Sequence, residues 1–350
     1  MRLNVPPSVK RGLRRVAAEM SGLLSPDLLR SCAGLPRVGK FAEAAWLNNN
    51  PFIRPIPPEG VLLSWAEATG DVRDMPPAQD IPCRVQYSSH NDWTGQKAAL
   101  LAHWDENAHI APYVAYYAAG LQALGYRTVL ASDRALHLTP DSLQHIDAVV
   151  CRTCPGYDFT SWRAAFSAIP TLYDADELLV TNDSLFAPVG DLQPLMRSMD
   201  NVPCDFWGVL ESHAVAPHLQ SYWLVFRKTA IRHPAFRMFW NTVPASSAKG
   251  SAVNQEMRLA RWLLNHGLRG GARFAQSLFT PSSLNPSHYA WDSLLQSGFF
   301  PFIKRELIFD NPYALSLKKL RAALADFKYP SNFIEEYAKS RKIATFCPVP

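Results

Sequence analysis

Short apolar runs alternate with helically spaced apolar residues in the middle of the chain. The runs end in polar or turn-forming residues, as buried parallel strands do. They lie at residues 97–103, 127–132, 147–151 and 178–180. Between the first two runs, apolar side chains recur at helical spacing over residues 109–124, and Gly125 suits a helix C-cap. This alternation predicts an α/β protein with a Rossmann-type, mostly parallel sheet flanked by helices.

Polar side chains follow three of these strands, where each strand should emerge from the sheet. They are His103, Arg152, Tyr157, Asp158, Asn182, Asp183 and Ser184. In open α/β sheets, ligands bind at the carboxyl ends of the strands. An arginine pairs with phosphate, a tyrosine stacks on a base or sugar, and an aspartate holds a cation that bridges phosphate oxygens. The set therefore predicts a nucleoside diphosphate site, with Asp183 as the metal ligand.

These residues also have structural explanations. Asp183 could cap a loop through an Asx-turn. His103 could be a hydrogen-bonded core histidine. The stretch from Arg152 to Asp158 could be a structural turn after its strand.

The first 94 residues follow a different pattern. Residues 8–24 place apolar side chains at helical spacing, with basic residues near the start of the predicted helix. Such a helix either lies on an anionic lipid surface, in peripheral contact with the inner face of the plasma membrane, or presents a solvated basic face. Prolines break up residues 49–95. We therefore expect a partly helical N-terminal arm (1–94), a main domain (95–315) and a C-terminal helical extension (316–350).

Composition narrows the class of protein. The chain has 350 residues, 48% of them hydrophobic, and can bury a large core. A net charge of +5 is too mild for a nucleic-acid binder and suits an anionic small ligand or membrane surface. Six scattered cysteines, with one CxxC at 151–154, form neither a disulfide scaffold nor a zinc pair. No apolar run approaches the roughly 18 residues of a membrane span, so we expect a cytoplasmic protein.

A series of short motifs runs in order through residues 97–315. Besides the strand ends above, it comprises Gly156-Tyr157-Asp158-Phe159, Asp205-Phe206-Trp207-Gly208, His218-Leu219-Gln220-Ser221-Tyr222, Phe239-Trp240, Glu256, and Pro301-Phe302-Ile303-Lys304-Arg305 with Asn311-Pro312. The series resembles the rhamnan synthesis protein F family of bacterial polysaccharide glycosyltransferases. The resemblance implies a GT-A-like fold and puts Asn182-Asp183-Ser184 in the place of the DXD motif. Cys154 departs from the asparagine of the family, so an amide that could read the nucleotide is missing.

The resemblance also implies an activity. A nucleotide-sugar donor, dTDP-rhamnose or a similar compound, would give up its sugar with inversion. The acceptor would be a growing cell-surface polysaccharide or lipopolysaccharide O-chain. A divalent cation (Mg²⁺ or Mn²⁺) at Asp183 would neutralise the diphosphate. Lys304 and Arg305 would assist, although a solvated basic turn explains them equally well.

The remaining roles concern the acceptor. Glu256 is the candidate base, with Asp205 or His218 in reserve. Its predicted position in the first turn of a helix at 252–266 would also explain Glu256 through the helix dipole alone. The candidate acceptor contacts are Asp205, Trp207, His218, Gln220 and Ser221. Substitution Asp183→Ala is expected to abolish transfer and to leave the fold intact.

Two other functions compete with this one. The first is a non-catalytic glycan-binding or scaffolding module derived from a glycosyltransferase, which the Cys154 departure favours. The second is a metal-dependent hydrolase, which ranks last because the chain lacks a compact ligand motif such as HExxH. No GxGxxG or GxxxxGK[ST] motif follows the first strand, so a dinucleotide fingerprint and a P-loop are both excluded.

Overall fold

The computed structural model describes residues 54–64, 75–214, 216–279, 285–309 and 317–340. The helix predicted at 8–24 and the Asn311-Pro312 motif lie outside these ranges. Within the ranges, none of the helices combines the length and the apolar character that crossing a bilayer takes.

The described residues form twelve strands and eleven helices. The strands are β1 (Val61–Leu62), β2 (Cys83–Ser88), β3 (Lys97–His103), β4 (Arg127–Ser132), β5 (Ala148–Arg152), β6 (Glu177–Asn182), β7 (Leu185–Phe186), β8 (Phe206–Ser212), β9 (His218–Leu219), β10 (Trp223–Arg227), β11 (Gly270–Phe274) and β12 (Ile303–Lys304). The helices are α1 (Pro112–Ala123), α2 (Asp158–Ala168), α3 (Gln193–Arg197), α4 (Lys228–Arg232), α5 (Pro234–Asn241), α6 (Lys249–Asn265), α7 (Pro286–Tyr289), α8 (Trp291–Gln296), α9 (Arg305–Phe309), α10 (Leu317–Asp326) and α11 (Ser331–Ser340).

One mixed sheet organises this part of the chain. Its strand order is β1-β11-β8-β10-β6-β3-β4-β5-β2, with β9 paired to β8. Strands β5, β4, β3 and β6 are parallel, as are β8 and β11. Strand β10 runs antiparallel between β6 and β8, so these two share one direction. The parallel strands therefore end at one edge, and the predicted α/β class with a mostly parallel sheet and flanking helices is confirmed.

The core lies on both faces of this sheet. Along β3, Ala99 and Leu101 join one apolar cluster, while Ala98 and Leu100 join the other. Alternate residues of a strand point to opposite faces, so continuous apolar runs are what a sheet covered on both sides requires. Trp162 of α2 secures one layer, because its indole donates to two strand carbonyls at 3.1 Å each.

Two edge strands come from the region predicted as an irregular arm. Strand β2 pairs antiparallel with β5, and β1 pairs antiparallel with β11. Both belong to the main sheet, which therefore includes strands from before and after residue 94. The sequence pattern did not predict strand β2, because Arg84 and Val85 are exposed and the strand has no apolar run. An edge strand needs only one neighbour and tolerates such a sequence.

Other predicted elements differ in their bounds. Strands β3 and β4 match their predicted ranges, and Gly125 follows α1 with φ of +85°, as a C-capping glycine does. The stretch predicted as one strand from residue 218 is divided between β9 and β10, which are joined by a turn. The predicted C-terminal helix is two helices, α10 and α11, separated near Lys328, which has φ of 55°.

A small ribbon completes the edge where the parallel strands end. Strand β7 follows Ser184 directly and pairs antiparallel with β12. The backbone N–H of Arg305 then donates to the Ser184 carbonyl at 2.8 Å. This pairing brings Lys304 and Arg305 to the end of β6 from the far side of the sequence.

Candidate functional site

The site lies where β3 and β6 end side by side. Ala102 of β3 stands opposite Asn182 of β6. The N–H of Asp183 donates to the Ala102 carbonyl at 3.0 Å, which extends the ladder by one residue. The Asp183 side chain therefore meets that of His103, the last residue of β3. The sequence motif thus lies at a carboxyl strand end, as predicted.

Donors surround the carboxylate of Asp183. His103 Nδ1 donates to Oδ2 at 2.7 Å, and the backbone N–H of Trp104 donates to the same oxygen at 3.0 Å. Arg305 Nη2 donates to Oδ1 at 2.9 Å. Arg305 is held in turn by the hydroxyl of Tyr113, which accepts from Nη1 at 2.6 Å. One buried anion is thereby enclosed by two cationic side chains, an arrangement that we call the Asp183 network (His103, Tyr113, Asp183 and Arg305).

The groups of this network keep one another charged. His103 Nε2 lies 2.8 Å from the carbonyl oxygen of His109, which can only accept, so both ring nitrogens carry protons. Burial alone would lower the pKa of His103, but the hydrogen bond and charge of Asp183 raise it. Burial would likewise raise the pKa of Asp183, but Arg305 and His103 hold it below its usual range. Asp183 is therefore ionised at neutral pH.

Asp158 lies beside this network in a different environment. It is the first residue of α2, and Asn182 Nδ2 donates to its Oδ2 at 2.7 Å. Burial, and then the negative charge of Asp183, raises the pKa of Asp158 to about 6. Asp158 therefore changes protonation close to neutral pH, which Asp183 does not.

The loop between β5 and α2 is shaped by Arg152. Its Nε donates to Ser161 Oγ at 3.0 Å, Nη2 donates to the Gly156 carbonyl at 2.7 Å, and Nη1 donates to the Cys154 carbonyl. Each guanidinium nitrogen thus donates one hydrogen bond to the loop or to the start of α2, so Arg152 holds the loop in place, and its predicted phosphate contact stays a prediction. The loop presents Tyr157, which is 41% exposed and free to stack on a ligand.

Glu256 enters the site from α6. This helix begins at Lys249, so Glu256 lies well inside it, and the explanation through the helix dipole no longer applies. Instead, its Oε1 accepts from the backbone N–H of Ser221 at 2.7 Å and from the Ser221 hydroxyl at 2.8 Å. Ser221, predicted as an acceptor contact, therefore orients the carboxylate of Glu256.

Lys304 provides a cation between the carboxylates. Burial lowers its pKa, whereas the charges of Glu256, Glu306 and Asp158 act to raise it. Its Nζ lies 4.6 Å from the centre of the Tyr222 ring, a distance typical of a cation–π contact. These surroundings are not those of a solvated basic turn. We call Asp158, Glu256, His218 and Lys304 the Lys304 cluster.

His218 is the fourth member of this cluster. Its Nδ1 donates to the Ala216 carbonyl at 2.7 Å. Burial lowers the pKa of His218, and although Glu256 opposes this effect, Lys304 adds to it. A neutral His218 with its proton on Nδ1 has a lone pair on Nε2. His218 can therefore accept a proton, as can Glu256.

Two predicted acceptor residues lie away from the site. Asp205 precedes β8 and so stands at the opposite edge of the sheet, where it accepts from Thr229 Oγ1 and the Arg269 N–H at 2.7 Å each. Trp207 is the second residue of β8 and is buried in the core. The two residues therefore lie apart from Glu256 and Lys304, and their role as acceptor contacts stays a prediction. Gln220, by contrast, lies at the correct edge, where its Oε1 accepts from Ser287 at 3.3 Å.

Two tyrosines of the site were missed from the sequence. Tyr113 accepts from Arg305 and donates its hydroxyl to the Asp183 carbonyl at 3.3 Å. Tyr222 lies under Lys304. In the sequence, Tyr113 is part of an apolar stripe and reads as core. Its position ten residues after His103, on the helix that follows the first strand, was the available indication.

The model of the rhamnan synthesis protein F family matches residues 131–345, more than half of the chain. The chain belongs to the rhamnan synthesis protein F family. The residues that the family model matches include the Lys304 cluster, Asp183 and Arg305, whereas His103 and Tyr113 precede the matched range.

A curated relative matches this chain at low sequence identity. Virulence protein VirA of Vibrio anguillarum is 25% identical over 208 residues, with 50% of this chain and 66% of that protein covered. The chain thus spans slightly less than two thirds of the length of that relative.

Three solved structures are also similar. A mannosyltransferase of Pyrobaculum calidifontis in complex with GDP-Man and Mn²⁺ is 10% identical over 97% of this chain and 93% of that one, with a TM-score of 0.35. The glycosyltransferase GlyE of Streptococcus pneumoniae is 12% identical over 71% and 64%, with a TM-score of 0.33. The galactosyltransferase LgtC is 14% identical over 51% and 73%, with a TM-score of 0.29.

The resemblance to the rhamnan synthesis protein F family implies a divalent cation at Asp183. A cation site needs carboxylate oxygens that are open to the metal. Those of Asp183 accept from an arginine, an imidazolium and an amide, and Arg305 would repel a second cation. Among the described residues, no group of three His, Cys, Asp or Glu side chains is arranged to hold a metal ion. These residues do not fit the metal, and we derive no step through it.

Proposed function

We propose that this protein is a nucleotide-sugar-dependent glycosyltransferase of cell-surface polysaccharide synthesis. The proposal combines membership of the rhamnan synthesis protein F family with one structural observation. That observation is the Lys304 cluster, in which a partly buried ammonium group interacts electrostatically with two carboxylates at the carboxyl end of a mostly parallel sheet. We further propose rhamnose or a related hexose or deoxyhexose as the sugar, and a polysaccharide or lipopolysaccharide O-chain as the acceptor.

The donor half of the reaction needs positive charge at the leaving diphosphate. Lys304 is suited to this task, because burial already disfavours its charged form and an incoming phosphate would stabilise it. Arg305 is bound to Asp183 and Tyr113, so we assign it to holding the end of β6 in place. Tyr157 and Asn182 remain the proposed contacts to the nucleotide and sugar.

The acceptor half needs a base that takes a proton from the attacking hydroxyl. We propose Glu256 for this role in an inverting reaction. Ser221 fixes one of its oxygens through two hydrogen bonds, and the second oxygen remains for the acceptor hydroxyl. His218 is the second candidate, because its Nδ1–H bond to Ala216 leaves Nε2 able to accept a proton.

The test is substitution Glu256→Gln, which keeps the two bonds from Ser221 and removes the base. Release of nucleoside diphosphate is measured with a panel of donors that includes dTDP-rhamnose, GDP-mannose and UDP-galactose, and donor binding is measured by calorimetry. We expect turnover to fall about 10²- to 10⁴-fold with donor binding retained. Glu335→Gln, an exposed carboxylate on α11, serves as the matched control.

Three results would contradict the proposal at different levels. Wild-type turnover by Glu256→Gln, together with an inactive His218→Gln variant, would transfer the base to His218. Binding of a donor without turnover by the wild-type protein would indicate a non-catalytic module. Failure to bind any nucleotide sugar would refute the donor class itself.

A further inference from the structure

A cavity lies beyond the Lys304 cluster at the same edge of the sheet. It has a volume of about 390 Å³ and opens between the segment that carries β1 and the carboxyl ends of β8 and β11. Its lining includes Arg54, Leu62, Glu211, His213, Arg273 and Leu278. Volumes of roughly 300 Å³ and above are typical of small-ligand sites. None of the residues assigned to donor or base chemistry lines it.

Arg273 is a buried cation in the wall of this cavity. Its exposure is 0%, and its guanidinium lies 4.1 Å from the centre of the Phe299 ring and 4.7 Å from that of Phe274. Only Nη2 has a hydrogen bond, to the Pro57 carbonyl at 3.0 Å. Nε and Nη1 have no partner among the described residues. Burial lowers the pKa of Arg273 to about 10, so the side chain is charged at neutral pH.

The carboxylate in the cavity does not neutralise Arg273. Glu211 Oε1 accepts from His213 Nε2 at 2.7 Å, and Oε2 accepts from the Gln276 N–H at 2.9 Å. Arg54 adds an exposed cation at the rim. A buried charge without a counter-charge is costly. The wall of the cavity therefore holds a buried cation with two unused donors, beside an exposed cation and room for more than a single ion, and these are features that an anion would compensate.

The location relates this cavity to the reaction. Strand β9 carries His218 and pairs with β8 at Glu211 and Ser212, while β11 pairs with β8 on its other side. Neighbouring strands lie about 4.8 Å apart, so His218 and the end of β11 are separated by roughly 10 Å across the sheet. This distance is of the order of one or two sugar units, which places the cavity on the acceptor side of Glu256 and His218.

We propose that this cavity binds the phosphate group of an anionic acceptor, with Arg273 and Arg54 as its ligands. Arginine is well suited to phosphate, because it stays charged and offers several donors in fixed geometry. The binding of phosphate stands on the cavity alone. Only the word acceptor rests on the proposed glycosyltransferase function.

The experiment measures phosphate binding by calorimetry with glucose 1-phosphate, orthophosphate and uncharged glucose. It is carried out in a Lys304→Gln background, so that the proposed donor site contributes little. Arg273→Gln and Arg54→Gln are compared with Arg127→Gln, an arginine at the opposite edge of the sheet. We expect Arg273→Gln to weaken binding of glucose 1-phosphate about tenfold or more, Arg54→Gln to weaken it several-fold, and Arg127→Gln to leave it unchanged.

The relative affinities of the ligands distinguish two kinds of phosphate site. Equal binding of orthophosphate and glucose 1-phosphate supports a site for the phosphate group alone, and tighter binding of the sugar phosphate supports a site that also holds the sugar. Undiminished binding by Arg273→Gln, or binding of glucose as tight as that of its phosphate, would overturn the proposal. If Arg273→Gln does not fold, the exposed Arg54→Gln variant decides in the same way. Absence of glycosyl transfer would not alter these measurements, so the two proposals fail independently.

Discussion

The Asp183 network and the Lys304 cluster share one edge of the sheet but treat their carboxylates in opposite ways. Asp183 is enclosed by Arg305 and His103, which hold its pKa below the usual range. Asp158, joined to the end of the same strand through Asn182, has its pKa raised to about 6. In the first group cations outnumber anions, and in the second two carboxylates surround a single, partly buried ammonium group.

We infer that the Asp183 network and the Lys304 cluster have different roles in the site. A hydrogen-bonded network of this kind holds backbone and strand ends in position and leaves little capacity for a ligand. A cluster with a surplus of carboxylate and a titrating member can bind, donate or accept protons. We therefore propose that Asp183, in the place of the DXD motif, supports the site and that the residues proposed for chemistry lie next to it.

The largest expected effect is on folding, from substitution Asp183→Asn. Removal of the carboxylate leaves His103, which is buried, and Arg305, which is partly buried, without their counter-charge. We expect the free energy of unfolding to fall by about 3–5 kcal/mol, measured by urea denaturation. The expectation that an Asp183 variant would keep its fold intact is therefore revised.

Asp205→Asn is the matched control for this prediction. Asp205 also has a lowered pKa, but its partner Arg269 has a side chain that is 60% exposed and would be solvated if left alone. The loss should be about 1 kcal/mol. Equal losses for the two variants would mean that the Asp183 network has no special structural role.

A smaller effect is expected from Lys304→Gln, and it concerns binding rather than folding. Loss of the charge at the leaving diphosphate should weaken donor affinity about 10- to 100-fold, as for a charged hydrogen bond. Calorimetry with the best donor of the panel, with and without EDTA, measures this. Lys97→Gln, at the opposite edge, should bind as the wild type does. Two results would assign the diphosphate to another cation. One is full donor affinity in the Lys304→Gln variant, and the other is a loss of donor affinity when EDTA is added to the wild-type protein.

The smallest effect is a pH-dependent gain in stability from Asp158→Asn. The pKa of Asp158 is about 6 in the folded state and about 3.9 when unfolded, so its ionisation opposes folding above pH 6. The substitution should stabilise the protein by on the order of 2 kcal/mol at pH 7. This gain should shrink as the pH falls through 6 and vanish near pH 4, where both proteins carry a neutral side chain.

Urea denaturation between pH 4 and pH 7 follows that difference. Asp174→Asn, at an exposed aspartate paired with Arg232, is the control. A gain from Asp158→Asn that is constant across this range would show that Asp158 is not the group that titrates.

Much of the sheet was predictable from residue patterns. Strands β3 and β4 have continuous apolar runs with sharp polar ends, and these gave the correct bounds. Asn182, Asp183 and Ser184 were found in the same way, because three small polar residues rarely follow a buried strand without a reason. Strand β2, whose exposed positions interrupt any apolar run, was not predictable by this means.

The partners within the site were beyond reach of the pattern. Asp183 and Arg305 are 122 residues apart, and nothing near either residue indicates the other. Composition also does not reveal that β8 runs toward the site, so the pattern could not show that Asp205 and Trp207 lie at or near the start of that strand. The unused donors of Arg273 were equally invisible, since an arginine between small and aromatic residues reads as an ordinary strand position.

The ribbon of β7 and β12 has a consequence for the order in which the site assembles. His103 and Asp183 are joined by neighbouring parallel strands, whereas Lys304 and Arg305 arrive only when β12 closes a much longer loop. Closure of long loops costs entropy before any contact rewards it, and non-local pairings form slowly. The sheet can therefore form before Arg305 reaches Asp183. The same closure step that brings Arg305 to the buried carboxylate also brings the ammonium group of Lys304 into the Lys304 cluster.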